Sequence, residues 1–369
     1  MFFDVIFYFF LLVVGIQIAY YLILFRGFAF SKPTNLNCRN IPVSVIICAK
    51  NESQNLRKFV PFVAKQDYPD FEIVLVNDAS RDDSLEVMEA LADKYQNIKI
   101  VNVQNNEAFW ANKKYALTLG IKAAKHDFLI FTDADCKPVS NLWIQELANC
   151  FSKNKSIVLG YGAYEKSNPL LLNKLIRFET LLTAIQYFSF AKIGLPYMGV
   201  GRNLAYRKDE FFKVNGFISH MDINSGDDDL FVNQVANNKN TAICYTSHSF
   251  TKSLPKTSFK DWVQQKRRHV HTAVRYKTIH KFLLANFYLS QILFWVLGVF
   301  LMVLNHKLQI VLPLFLIVVF IKYMVVGYSA KKLNESDLTL LFPFWEILII
   351  LFQFSLFIIN LVSKPRHWK

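Results

Sequence analysis

The sequence predicts an α/β domain built on a mainly parallel sheet and flanked by transmembrane helices. Three observations carry that expectation. Four apolar blocks, at about 1–25, 282–304, 308–329 and 339–362, hold about 94 of the 369 residues and only three charges, Asp4, Lys322 and Glu346. Each is long enough to cross a hydrocarbon core of ~30 Å as a helix. Outside them stand 41 Lys and Arg against 26 Asp and Glu, so the net charge of +14 belongs to the polar part of the chain. That polar part alternates short β-type runs with amphipathic stretches, the order of a doubly wound sheet. The 35 Phe exclude a disordered chain, and only 12 Gly and 11 Pro exclude a collagen-like or low-complexity one.

The first block reads as a signal-anchor. It lacks a basic start, carries Asp4, and continues into Tyr20, Tyr21 and Arg26 without a small-residue cleavage site. Basic residues follow it (Arg26, Lys32, Arg39) and precede the second block (Arg267, Arg268, Arg275, Lys277, Lys281). The positive-inside rule then puts the middle domain in the cytoplasm, on a multi-pass protein of the cell membrane. Residues 282–362 form a membrane region of about three apolar segments. The last contains Pro343 and Glu346 and precedes the basic tail Lys364, Arg366, Lys369. It fits a span, a re-entrant segment or an interfacial one.

Between these regions, 31–41 is a polar linker and 42–270 a globular domain. Val43–Cys48 is the first expected strand, followed by a helix over Gln54–Lys65 that Ser53 is placed to cap. Phe71–Val76 is the second strand and Ser84–Tyr95 a helix. Ile98–Val103 is the third strand, Lys113–Ala124 a helix and Phe128–Phe131 the fourth strand. In such a sheet, function is expected at the strand C-termini. Asn51 and Glu52 follow the first strand there, Asp78 the second, Asp133 and Asp135 the fourth. Leu170–Leu195 is apolar but broken by Lys174, Arg177, Glu179 and Lys192, which suits either an interfacial helix beside the site or a core helix. The five cysteines (Cys38, Cys48, Cys136, Cys150, Cys244) lack metal-type spacing and read as reduced structural thiols.

Asp133-Ala134-Asp135 is the sharpest chemical feature. Residues two apart on an extended segment point the same way, and two carboxylates sharing a pocket call for a cation. Mg²⁺ or Mn²⁺ suits oxygen ligands that leave positions open for substrate phosphates. Lys113 and Lys114 open a helix, where cations and backbone amides favour phosphate. Asp227, Asp228 and Asp229 crowd one another's charge, which raises one of them toward the range of a general base. Trp262, Gln265 and Arg268 lie three apart, on one helix face. That face reads either as a membrane-surface anchor or as a lid placing Gln265 and Arg268 on a diphosphate.

Taken in order over roughly 42–270, these pieces resemble the family 2 glycosyltransferases, inverting enzymes of the GT-A fold. Val43-Ser44-Val45-Ile46-Ile47-Cys48-Ala49-Lys50-Asn51-Glu52 is similar to the family's opening strand and turn, and Val76-Asn77-Asp78-Ala79-Ser80 to its Val-Asp-Asp-Gly-Ser. Asp133-Ala134-Asp135 matches the metal-binding DxD, and Gly201-Arg202-Asn203-Leu204-Ala205-Tyr206-Arg207 resembles the Gly-x-Asn-x-Ala-(Phe/Tyr)-Arg near the acceptor. The resemblance implies that Ala49, Asn51, Glu52, Asp78, Lys113, Lys114, Asp133, Gln265 and Arg268 hold a nucleotide sugar, most commonly a uridine diphosphate sugar in this family. Asp135 and Asp133 would hold Mg²⁺ or Mn²⁺, and Gly201 and Asn203 would border the acceptor. Aligned through the leading Gly226 the base is Asp228; aligned through Leu230 it is Asp227. His269 stands where many membrane members have Trp after Gln-x-x-Arg, a departure from the pattern that processive polysaccharide synthases typically keep.

The reaction so implied moves a sugar to a membrane lipid or lipid-linked acceptor, in glycolipid or cell-envelope glycan synthesis. A processive synthase and a degenerate sugar-nucleotide-binding subunit are the competing readings. A nucleic-acid partner is not expected, because the basic residues cluster at the membrane flanks. The sequence leaves the oligomeric state open.

Overall fold

The computed structural model describes residues 1–32, 39–104, 113–167, 171–223 and 225–362. The expected 31–41 linker lies largely outside these residues, as do Cys38, Leu170 and the tail with Lys364, Arg366 and Lys369. Among the described residues ten strands are formed: β1 Val43–Ala49, β2 Phe71–Asp78, β3 Ile98–Val103, β4 Phe128–Phe131, β5 Cys136–Pro138, β6 Ile157–Leu159, β7 Gly162–Tyr164, β8 Leu204–Arg207, β9 Thr241–Ile243 and β10 Thr251–Ser253. Seven make one sheet in the order β3-β2-β1-β4-β8-β6-β9. Within it β8 runs against both its neighbours, and all other pairings are parallel. The remaining three form a small sheet, β5-β10-β7.

β1 is buried along its whole length, as a central strand covered on both faces must be. Its alternate residues serve two cores. Val45 and Ile47 pack with Leu56, Val60 and Trp143 on one face. Ile46 and Cys48 pack with Ala116, Leu117 and Ile121 on the other. The second core continues without a break through Phe178 and Leu181 to Phe25 and Phe28 of the first helix and Trp345 and Phe352 of the last. The sheet domain and the apolar helices therefore share one interior.

The four expected strands form where the sequence places them, with β1 and β2 running on to Ala49 and Asp78. Ser53 does not cap the helix after β1; it is the first residue of that helix, Ser53–Ala64, and Glu52 stands before it. The amides there are taken by the neighbouring loop instead. Ser53 N donates to Asp82 Oδ2 (3.2 Å) and Glu52 N to Ser84 Oγ (2.9 Å).

Four helices, Phe2–Ala29, Thr278–Val303, Leu308–Lys332 and Phe342–Val362, are long and apolar enough to cross a membrane. The three charges inside the apolar blocks are all paired. Asp4 meets Lys307 at 2.9 Å, and Lys322 meets Glu346 at 3.0 Å with both side chains fully buried. The turn carrying Lys307 thus sits beside the chain start, whereas the 333–341 connection sits against the sheet domain. There Arg177 donates to Glu335 (2.9 Å) and Asp337 (2.7 Å), and Lys166 also reaches Asp337 (2.6 Å). Arg177 belongs to the Leu171–Lys192 helix, in which 14 of 22 residues are buried. This helix is wedged between sheet and apolar helices and does not lie on a membrane surface; its two buried charges are spent on the pairs Arg177–Glu335 and Glu179–Lys266. Cys48, Cys136, Cys150 and Cys244 are buried free thiols.

Candidate active site

The C-terminal ends of β1, β2 and β4 open into a cleft of about 590 Å³. The turns that shape its rim bind one another. Asn51 follows β1 in the left-handed region (φ 56°), which Asn tolerates well. Its N–H donates to Ser80 Oγ (3.0 Å) and its Oδ1 accepts from Arg81 N (2.8 Å). Ala79, where the family pattern has Gly, also takes a positive φ of 48°. Asn51 thus fastens two loops together, and Ala49 faces the core on the opposite side of β1; neither lines the cleft. Glu52, Lys50 and Asp78 do. Burial raises the carboxyl pKa of Asp78, partly offset by Lys50 at 3.8 Å.

Lys113 and Lys114 part company, because consecutive helical residues point ~100° apart. Lys113 lines the cleft, with its ammonium 2.8 Å from Asp133 and 3.1 Å from Asp227. Lys114 is turned inward and does not reach the phosphate position expected of it. Its ammonium donates to the carbonyls of His220 (2.5 Å) and Ile223 (2.8 Å).

Ala134 packs into the core, which leaves Asp133 and Asp135 directed to the cleft. One oxygen from each, together with Cys136 Sγ, lies within 4.8 Å of the others. The Cys136 thiol donates to Asp135 Oδ1 (3.4 Å). Burial, then the charge of Asp133, raises the pKa of Asp135. Two converging carboxylates are a donor set that fits a divalent ion.

The three acids after Gly226 diverge. Gly226 has φ 97°, and a Cβ there would meet Leu230 at 2.5 Å, so the turn requires glycine. Burial works to raise Asp227, but the Lys113 ammonium outweighs it and holds this carboxyl below its ordinary range. Asp229 is buried against Tyr276 OH (2.6 Å) and Thr272 Oγ1 and supports the fold. Asp228 lies between them. Its Oδ2 accepts from Gly201 N (2.7 Å) and its Oδ1 from Asp229 N (2.7 Å). Burial and the two flanking carboxylates push its pKa up to about 7.

Gly201 therefore borders the cleft as expected. Asn203 does not: it is fully buried, donating to the Tyr161 (2.9 Å) and Ser249 (2.7 Å) carbonyls and accepting from Trp143 Nε1 (3.1 Å). With its amide wholly used, it braces the floor. Between them Arg202, which sequence reasoning passed over, lines the cleft with its guanidinium 4.3 Å above the Tyr164 ring.

Gln265 and Arg268 both line the cleft, on the Phe259–Thr272 helix that Ser258 caps through Asp261 N (3.1 Å). The helix is fixed from below. Trp262 stacks on Phe352 with ring centroids 4.0 Å apart, and Arg267 donates to Asn360 (2.9 Å). Past this helix the cleft continues among the apolar helices, where Phe287, Tyr288 and Gln291 face Glu346, Ile349 and Gln353. The signal for this arm was present in the sequence as polar residues inside apolar blocks. Its link to the strand ends was not.

The fold is a glycosyltransferase type of domain joined to a bundle of apolar helices. Residues 44–212 match glycosyl transferase family 2, and the chain carries a family 2 glycosyltransferase domain. The glycosyltransferase AglE of Haloferax volcanii is 27% identical over 187 residues, 50% of this chain and 58% of that protein. The cholesterol galactosyltransferase of Borreliella burgdorferi is 36% identical over 93 residues, a quarter of each chain. The chain thus spans less than two thirds of the length of these relatives. Among solved structures, the mannosyltransferase PcManGT of Pyrobaculum calidifontis, in complex with GDP-Man and Mn²⁺, superposes with a TM-score of 0.57 at 16% identity, covering 92% of this chain and 95% of that one. That likeness shows a shared fold.

Proposed function

We propose that this protein is a membrane-bound inverting glycosyltransferase that moves a sugar from a nucleotide-diphosphate sugar, of the uridine type, to a membrane lipid or lipid-linked acceptor. The observation that carries the reading is the single cleft that runs from Asp78, Asp133 and Asp135, past Asp228, into the apolar helices. A donor held at the strand ends and an acceptor entering from the membrane would meet at Asp228.

In this reading Asp78 and Glu52 hold the nucleoside, and Lys113 and Arg268 face the diphosphate. Asp135 and Asp133 hold a divalent cation, Mg²⁺ or Mn²⁺, which when bound offsets the charge on the departing diphosphate. Asp228, poised near neutrality, takes the proton from the acceptor hydroxyl. The freed oxygen attacks the anomeric carbon from the face opposite the diphosphate. The bond from that carbon to the diphosphate oxygen breaks, the electron pair leaves with the diphosphate, and the configuration inverts. Asp227, bound to Lys113 and held ionised, raises the proton affinity of Asp228 and so favours its capture of that proton. A raised acid beside a lowered one, Asp228 and Asp227, argues against a degenerate binding subunit. The basic flanks of the helices support a domain facing the cytoplasm across the cell membrane.

Incubating the purified protein in lipid nanodiscs with a panel of nucleotide sugars and total lipid extract, and reading products by mass spectrometry, tests this. A single sugar added to an extractable lipid is expected. A long polymer would favour a processive synthase instead, and binding of donors without any turnover would favour the non-catalytic subunit.

A further inference from the structure

The membrane arm of the cleft contains more hydrogen-bonding groups than a lipid tail can use. Among the described residues, Gln291 and Gln353 of the apolar helices line it, and Gln186 and Gln265 line the same cleft from the Leu171–Lys192 and Phe259–Thr272 helices. Gln291 is committed, donating to Glu346 at 3.0 Å. Gln186 has only a long contact from Tyr197 OH, at 3.5 Å. Gln265 Oε1 is buried and has no donor among the described residues. Gln353, midway along the apolar Phe342–Val362 helix, makes no hydrogen bond among the described residues. Amides placed in a membrane-embedded segment are costly unless something pairs with them. Beside them Tyr288 offers an aromatic face, its hydroxyl fixed by the Ile350 carbonyl (2.9 Å).

The chemistry of the missing partner follows. A hydrocarbon chain has neither donors nor acceptors. A diphosphate has acceptors only and cannot satisfy Gln265 Oε1. Sugar hydroxyls supply both donor and acceptor, and the carbon-bound hydrogens of a sugar ring pack on an aromatic face. We infer that the membrane arm is a saccharide-binding subsite, and that the acceptor is a lipid already bearing at least one sugar. This rests on the glycosyl-transfer reading above and narrows it. It also places the enzyme in a reaction sequence: a preceding transfer must attach the first sugar, or sugar phosphate, to the lipid.

The test uses the full chain in nanodiscs with the nucleotide sugars of the panel. Dodecyl glucoside, dodecyl galactoside and dodecyl maltoside are compared with dodecanol and dodecyl phosphate, and products are read by mass spectrometry. At least one glycoside is expected to be used with a kcat/KM about tenfold or more above both sugar-free acceptors. Gln353→Leu should raise the KM for that glycoside about tenfold, more than it changes the KM for the donor. The wild-type acceptor series is decisive even if the variant fails to fold. Dodecanol or dodecyl phosphate serving as well as every glycoside would overturn this inference and leave glycosyl transfer standing. No consumption of any nucleotide sugar with any acceptor would overturn both.

Discussion

At the strand end of the cleft, charges are numerous, largely buried and paired with one another at the cleft wall. Lys113 is shared by Asp133 and Asp227, and Lys50 stands near Asp78. At the membrane end, charges are few, fully buried and paired for good: Lys322 with Glu346, which also accepts from Gln291 and Trp295. Ion pairs that line an open cleft can be exchanged for contacts to a charged ligand that enters it. Ion pairs in a dry interior are costly to break and fix a shape. The strand end is thus built to rearrange around a donor, and the membrane end to present a preformed wall.

The sharpest way to break this comparison is at the junction of the two ends. Asp228→Asn removes the proposed base and, with an NH₂ in place of one oxygen, can keep only one of its two backbone hydrogen bonds; transfer should fall about 10³-fold, with donor affinity little changed. Steady-state kinetics and donor titration check both halves. At the dry end, Arg177→Ala would strand Glu335, which is buried, and cost about 3–5 kcal/mol of stability in a thermal or denaturant melt. Adding Glu335→Gln should recover much of that loss.

Lysines side by side in sequence provide the next contrast. Lys113→Met should lower turnover by about 10²-fold. Lys114→Met should lower stability by about 1–3 kcal/mol through two orphaned carbonyls, and affect kinetics far less. The pH dependence is smaller still. A base must be ionised to act, so with the Asp228 carboxyl at about 7 the rate should fall as pH drops through neutrality and level off above it. A rate unchanged between pH 5.5 and 8 would point to an acceptor already ionised. The smallest effect is at Ala79, where Gly relieves a positive φ; Ala79→Gly should stabilise by about 0.5–1 kcal/mol in the same melt.

The strands were legible because burial on both faces writes continuous apolar runs, as in Val43–Ala49. The DxD and the acid triplet were legible because their spacing alone brings carboxylates together. What could not be read was direction. Lys113 and Lys114 look interchangeable until the helix is set on the sheet. Asn203 looks exposed until Trp143, Tyr161 and Ser249, all distant in the chain, close around it. The burial of Leu171–Lys192 was hidden for the same reason, since the acids that neutralise Arg177 lie 158 and 160 residues away.

The stacking of Trp262 on Phe352 has a consequence for how this architecture can vary. A tether whose only duty is to keep a protein at the bilayer can be exchanged for any other of equal length. The final helix is not a tether of that kind, because it supplies the seat on which Gln265 and Arg268 are presented and one side of the passage beneath them. A fragment ending near residue 270 would retain every strand and both acids of the DxD, yet its Gln-x-x-Arg helix would lose the Phe352 ring and the Asn360 side chain that seat it and keep contacts such as Lys266–Glu179. The last apolar block is therefore working machinery, and its sequence should tolerate shuffling far less than its composition suggests.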